Sequence, residues 1–171
     1  MSTPASALRE LHPRAAELVR LLQLAPHPEG GHYREIFRSA RAAPGSLAPA
    51  PRAALISIDF LLGEAEFSAW HRVRSDEVWH LLEGAPLRLW LLPPTLDRID
   101  CVDLVAAAPT GAPRHVVPAD WWQAAEPLGA FSYVGATVAP GFEFADFAFG
   151  RDDAELCAAL YQRAPELARL L

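Results

Sequence analysis

Between residues 32 and 150 the sequence is cut into short runs rich in Val, Ile, Phe, Tyr and Trp and separated by Pro and Gly: HYREIFRS, ALISIDFLL, FSAWHRVR, EVWHLLEG, PLRLWLLPP, RIDCVDLV, RHVVPAD, WWQAA, FSYVGATVAP and FADFAFG. β-Branched and aromatic side chains suit a pleated surface, and Pro and Gly end strands rather than continue them. With no helical window between the runs, the parallel βαβ connection is not available. The pattern therefore predicts an all-β sandwich or barrel of antiparallel strands.

Helical spacing appears only at the two ends. PRAAELVRLLQL, residues 13–24, places Ala15, Leu18, Leu22 and Ala25 on one side, with Pro13 suited to a first turn and Pro26 to a stop. DDAELCAALYQRAPELARLL, residues 152–171, starts with Asp152 three residues before Glu155 as in a capping box, and spaces Leu156, Leu160, Leu167 and Leu170 as a stripe that Pro165 kinks. The Pro/Ala-rich stretch 42–54 reads as a surface loop too short to separate domains. A chain of 171 residues, 51% apolar, suits one domain that buries about 70% of its unfolded surface. The expected layout is a single domain over 1–171, with a β core at about 30–150, an N-terminal helix at about 13–25 and a C-terminal helix at about 152–171.

The charge of −6 disfavours the phosphate contacts that sustain nucleic-acid binding. All 15 basic residues are arginine, which excludes Schiff-base chemistry, a phosphate-loop lysine and a lysine general base. Cys101 and Cys157 lie in different segments with no ligand or nucleophile motif around either, so both read as buried free thiols. MSTPASALRE lacks a basic region followed by an apolar core, and no apolar run reaches membrane-spanning length; a cytoplasmic protein without nucleic-acid or membrane partners is expected.

The stretch WHRVRSDEVWHLLEG, Trp70 to Gly84, concentrates the titratable residues. Side chains two apart on a strand share a face, so His71 and Val73 point together, and Glu77, Trp79 and Leu81 share a face opposite to that of Val78, His80 and Leu82. His71 and Glu77 are thus candidates to meet, and His80 is not their companion. Imidazole and carboxylate suit first-row divalent ions, yet two ligands are seldom enough, and Val73 offers no lone pair where a His-x-His pair would need one. The tryptophans read first as core aromatics. PHPEGGHYRE, residues 27 to 35 with the preceding proline, reads as a tight turn entering a strand rather than as a metal cluster; in that strand Tyr33 and Glu35 share one face and His32 and Arg34 the other, with Arg34 favoured as an anion contact in a pocket.

His71-x-Val73-x-x-x-Glu77 followed by Gly84 resembles the first motif of cupins, in which two histidines and a glutamate bind metal; the second histidine is replaced by Val73. PADWWQ, Pro118 to Gln123, resembles the second cupin motif, with Asp120 at its glycine and Gln123 at its histidine. LAPHPEGGHYREIFRS, WHRVRSDEVWHLLEG, PLRLWLL, VVPADWWQAA and VGATVAPGFEFADF, spread over about residues 18 to 150, are together similar to the cupin_5 family (DUF985). The resemblance implies a cupin jelly-roll β-barrel (double-stranded β-helix) with flanking N- and C-terminal helices, a homodimer, and a pocket lined by the two motifs; it supplies no reaction.

On that basis the expected function is the binding of a small polar, sugar-like molecule in the barrel pocket. His71, Glu77 and Gln123 would provide hydrogen bonds, Trp79 and Trp122 the walls, and Arg34 an anion contact. The alternatives are an isomerase or epimerase with His71 as base, oriented by a carboxylate, and Tyr133 or Tyr33 as acid, or a weakly metal-dependent enzyme with His71, Glu77 and Gln123 around a divalent ion. No cofactor is expected, with a divalent metal as the alternative. A structural role, with His80 at a dimer interface, is the fourth reading.

Overall fold

The computed structural model describes residues 11–43 and 52–171. The opening amphipathic segment forms α1 (Pro13–Leu21), with Pro13 in its first turn and the His12 ring accepting the Arg14 N–H at 3.2 Å. It ends three residues short of Leu24 because Gln23 takes φ 56° and turns the chain away, so Ala25 belongs to the next strand instead of the helix. The strands that follow are β1 (Ala25–Pro26), β2 (His32–Arg38), β3 (Ile56–Gly63), β4 (Ser68–Arg72), β5 (Asp76–Gly84), β6 (Leu87–Leu92), β7 (Asp100–Leu104), β8 (Arg114–Val117), β9 (Trp122–Pro127), β10 (Phe131–Ala139) and β11 (Ala148–Phe149). Of the 42–54 loop, residues 44–51 lie outside the described residues.

These strands form two antiparallel sheets, one in the order β1-β2-β3-β10-β5-β8 and one in the order β11-β4-β9-β6-β7. The inner faces meet in a core of Phe60, Leu62, Trp79 and Val134 from the first sheet and Leu87, Leu89, Leu91 and Ala125 from the second. Much of each outer face is covered as well. Ala15, Leu18 and Val19 of α1 pack on Leu61 and Phe131 behind the first sheet. Behind the second sheet, Leu156 and Leu160 of α2 (Ala154–Arg163), together with Leu167 and Leu170, pack on Trp70, Leu92, Trp122 and Ala124. Trp70 fixes this layer by donating its indole N–H to the Leu167 carbonyl at 3.1 Å.

Both cysteines are free, but neither is buried: Cys101 is exposed on β7, where alternate residues face outward, and Cys157 is half-buried on α2. Other local details depart from the sequence pattern in three places. The cap of α2 is Asp153, whose carboxylate accepts the Leu156 N–H at 2.9 Å, and not Asp152. The chain breaks at Ala164 and continues as a 3₁₀ turn over Pro165–Leu170, as expected of a proline that cannot donate the helical hydrogen bond. FADFAFG is mainly a 3₁₀ turn, Phe144–Asp146, leaving Ala148–Phe149 as its strand. No helix among the described residues is long and apolar enough to cross a membrane.

One turn deserves its glycines. Between β1 and β2 the His27 N–H reaches the Gly31 carbonyl at 3.0 Å and the Ala69 N–H reaches the Glu29 carbonyl at 2.8 Å, pinning residues 27–31 against β4. Gly30 and Gly31 have φ +114° and +67°, and a Cβ on Gly30 would run into the Phe67 carbonyl oxygen. Gly30→Ala is expected to lower stability by about 2 kcal/mol or more, from unfavourable φ and a clash with fixed backbone, read as a shifted urea midpoint with unchanged slope.

Candidate functional site

At one end of the two-sheet core lies a cavity of about 110 Å³. Its polar floor comes from three elements: His27 and Glu29 from the Gly30-Gly31 turn, His71 from β4 and Glu77 from β5. Ile56 and Ile58 of β3, Val73, and Ala136 and Val138 of β10 form apolar walls, Tyr33, Glu35 and Arg38 of β2 line one side, and Phe142, Glu143, Phe144 and Phe147 form the rim. Glu29, His71 and Glu77 are 8%, 3% and 6% exposed, so three titratable groups are largely withdrawn from solvent at one place.

Hydrogen bonds assign the protons on the two imidazoles. His71 Nδ1 lies 2.7 Å from the Ala69 carbonyl, which only accepts, so Nδ1 carries the hydrogen and Nε2 of the neutral ring keeps a lone pair. That Nε2 is 3.4 Å from Glu29 Oε2. His27 Nδ1 accepts the Glu29 N–H at 3.3 Å, placing the hydrogen of the neutral ring on Nε2. Glu29 Oε1 accepts from the Ser68 hydroxyl at 2.9 Å, and the His71 ring stacks on Phe147 with centroids 5.4 Å apart.

Burial dominates the titration of all four groups. It holds His71 and His27 below the ordinary histidine range, with Glu77 opposing the shift at His71 and Glu29 opposing it at His27. Glu29 is raised by the same desolvation. Glu77 is pushed up to about 7, mainly by burial and further by Glu29, against the favourable effects of His71 and Gln123. Two uncharged imidazoles and two carboxyls that ionise reluctantly can accept, donate and exchange protons at neutral pH.

The structure brings His71 and Glu77 into one cavity and puts the other sequence candidates elsewhere. Gln123 is 1% exposed and lies behind Glu77: its Nε2 donates to Glu77 Oε2 at 2.5 Å while its Oε1 accepts the Trp79 indole N–H at 2.9 Å. Trp79 is thus a core residue that orients Gln123, not a wall. Trp122 faces the opposite side of its sheet, in the layer under α2, with the Arg72 guanidinium 4.5 Å over its ring. Tyr133 alternates with the cavity-facing Ala136 and Val138 of β10 and so sits on the outer face; burial and the neighbouring Asp59 raise its hydroxyl further from use as an acid. Arg34 is also outward, donating to the Leu22 carbonyl at 3.0 Å, and the β2 residues at the cavity are Tyr33 and Glu35. His80 points to the outer face of the first sheet, beside Arg114.

Sequence reading missed His27 and Glu29, because a His-Pro-Glu-Gly-Gly turn has no strand parity from which to infer a facing. The available signal was the glycine pair, which lets a turn approach other backbone closely. Asp120, at the glycine position of the second motif, takes φ +65°, the glycine-like conformation that aspartate tolerates.

The donor set does not fit a metal centre of the kind the cupin motifs imply. The Gln123 oxygen is already engaged by Trp79, Val73 has no lone pair, and among the described residues no three His, Cys, Asp or Glu side chains are grouped to hold an ion.

Two facing antiparallel sheets with flanking helices and a pocket at one end define the class. Residues 16–150 match the family model described as Cupin superfamily (DUF985), and the chain belongs to that family. A hypothetical protein from Leishmania major is similar in structure with 28% identity, TM-score 0.72, and 90% of this chain and 94% of that one covered. A protein from Shewanella oneidensis shows 30% identity and TM-score 0.74, with 90% and 92% covered. Oxalate decarboxylase from Bacillus subtilis, at 16% identity and TM-score 0.54, shares the fold over 85% of this chain and 36% of its own. No curated protein matches the sequence.

Glu77 gives a pH signature. Between its ordinary value of 4.5 and about 7, an unfolded chain has released a proton that the folded protein retains, so stability falls as pH rises through this window. Glu77→Gln removes the charge and keeps an acceptor for Gln123. Urea unfolding at pH 4.5 and pH 7.5 is expected to show the parent losing roughly 3 kcal/mol more than the variant over that interval; parallel behaviour would mean that Glu77 ionises normally.

Proposed function

We propose that this cupin is a small-molecule-binding protein whose pocket takes a polar, sugar-like molecule and works without a resident metal. The observation that carries the reading is the convergence of His27, Glu29, His71 and Glu77 on one end of an otherwise apolar core. Burying such groups is unfavourable unless they are partnered, and a ligand with several hydrogen-bonding groups partners them. The Trp79–Gln123–Glu77 chain supports the same reading, since it fixes one carboxylate from behind while leaving its second oxygen for an occupant. The likeness to oxalate decarboxylase carries fold and not reaction: a dianionic substrate such as oxalate would meet Glu29 and Glu77 on the floor.

A second reading, proton transfer of the isomerase or epimerase type, is favoured by the His71 tautomer. Its bare Nε2 is a general base already oriented by the Ala69 carbonyl, and Tyr33, in place of the outward-facing Tyr133, is the tyrosine that lines the cavity as acid. At the level of architecture we read the two sheets as a jelly roll and the protein as a homodimer. Half-exposed Leu82 and Val116 flank His80 on the uncovered part of the first sheet, an apolar surface suited to a second copy.

Thermal-shift screening of monosaccharides, sugar acids and amino sugars is expected to give at least one stabilising ligand, with the shift lost in His71→Ala. Solvent deuterium entering the bound ligand, and not in His71→Ala, would mark proton transfer; binding without exchange would leave a binding protein. Sedimentation velocity is expected to give a dimer for the parent chain and a monomer for Val116→Asp.

A further inference from the structure

With Glu29 and Glu77 ionised, the polar atoms left for an occupant on the cavity floor are acceptors, apart from the single Nε2 hydrogen of His27. His71 Nε2 carries a lone pair because Nδ1 donates to Ala69. Glu29 uses Oε1 for Ser68 and turns Oε2 toward His71. Glu77 gives Oε2 to Gln123, and its Oε1 accepts no hydrogen bond among the described residues. Both carboxylates are more than nine-tenths buried and line the cavity.

Charge and walls point the same way. Among the described residues Arg38 is the single arginine lining the cavity, and Glu35, at 2.8 and 3.0 Å, and Glu143, at 3.2 Å, already neutralise it. Four glutamates therefore face this space with no free cation to balance them. Beside the aliphatic walls of β3 and β10 stands an aromatic group: Phe147 lies parallel to the His71 ring, Phe142 packs edge-on to Phe147 with centroids 6.0 Å apart, and Tyr33 meets His27 edge-on at 4.4 Å. A hydroxyl offers one donor to such a floor and a carboxylate none, whereas a primary ammonium offers three, together with a positive charge that aromatic faces attract.

We propose that the occupant of this pocket is a small molecule bearing a primary ammonium group, held by Glu29, His71 and Glu77 and packed against Phe147. The inference rests on the small-molecule reading above and narrows its ligand class from polar to cationic. Charge-assisted hydrogen bonds in a buried site, absent from a neutral analogue, account for the selectivity. Carboxylates are rejected because the floor provides no donor pair for them and repels their charge.

The test uses one ring with three head groups, cyclopentylamine, cyclopentanol and cyclopentanecarboxylate, together with the neutral pentose D-xylose, titrated calorimetrically into the full chain at pH 7.5. The amine is expected to bind at least about 10-fold more tightly than the alcohol, with no measurable carboxylate binding. Glu77→Gln is expected to weaken the amine about 10-fold while leaving the alcohol within about 2-fold, and Phe147→Leu to weaken the amine about 3-fold, both variants melting as folded proteins. Equal affinity for amine and alcohol, a preference for the carboxylate, or amine binding indifferent to Glu77→Gln would overturn the inference. Binding of D-xylose that His71→Ala abolishes, with no preference for the amine, would overturn it while leaving the small-molecule pocket standing. Failure of all four probes would overturn it and remove support from the pocket reading as well.

Discussion

The constraint on which the structure depends is that its central strands must bury side chains on both faces. Each of β4, β6 and β9 sends one set of residues into the space between the sheets and the alternate set under the C-terminal helix, so Leu91 and Leu92, or Trp122 and Gln123, are neighbours in sequence with separate surroundings. Two apolar layers behind the sheets, from α1 and from α2 with its 3₁₀ extension, are what make this double burial favourable. Polar residues on the inner faces gather instead at one end of the core, each held from behind by a hydrogen-bonding neighbour. The candidate site is a product of that segregation.

Seen this way, Glu77 and Gln123 are members of one polar chain that begins in the core at Trp79 and ends at the cavity. Each link uses one donor and one acceptor, so the order of the chain is fixed by chemistry: an indole can only donate, a carboxylate can only accept, and the amide between them does both. His71 is oriented in the same manner by a backbone carbonyl, and Glu29 by a serine hydroxyl. Rigid positioning from behind and unspent hydrogen-bonding capacity in front are the physical marks of a binding site, in contrast to a buried polar cluster that satisfies itself.

Much of this was legible before any coordinates. The strand runs and their parity placed His71 and Glu77 on converging faces, and Pro and Gly marked the breaks. What the sequence hid were features without a period: a turn that folds Glu29 back against β4, and a helix that covers the outer face of β9 and so claims Trp122. Parity also leaves open which face of a strand is the inner one. Tyr33 with Glu35, and His32 with Arg34, alternate correctly, and only the position of α1 and Leu22 decides that Arg34 is outside. Tyr133 is outward for the same reason, since Val134, Ala136 and Val138 are the residues of β10 that point in.

Gln123 also limits which single substitutions the site accepts. A histidine at this position would exchange an amide with a donor and an acceptor on one short stem for a ring whose two nitrogens lie on different edges. The Trp79 N–H and the Glu77 carboxylate would then compete for an imidazole that also has to reach a metal, and Val73 would still supply nothing. A single substitution therefore loses the existing network before it gains a ligand. The packing thus resists change at this position from two directions at once, since the indole and the carboxylate each hold the amide in place.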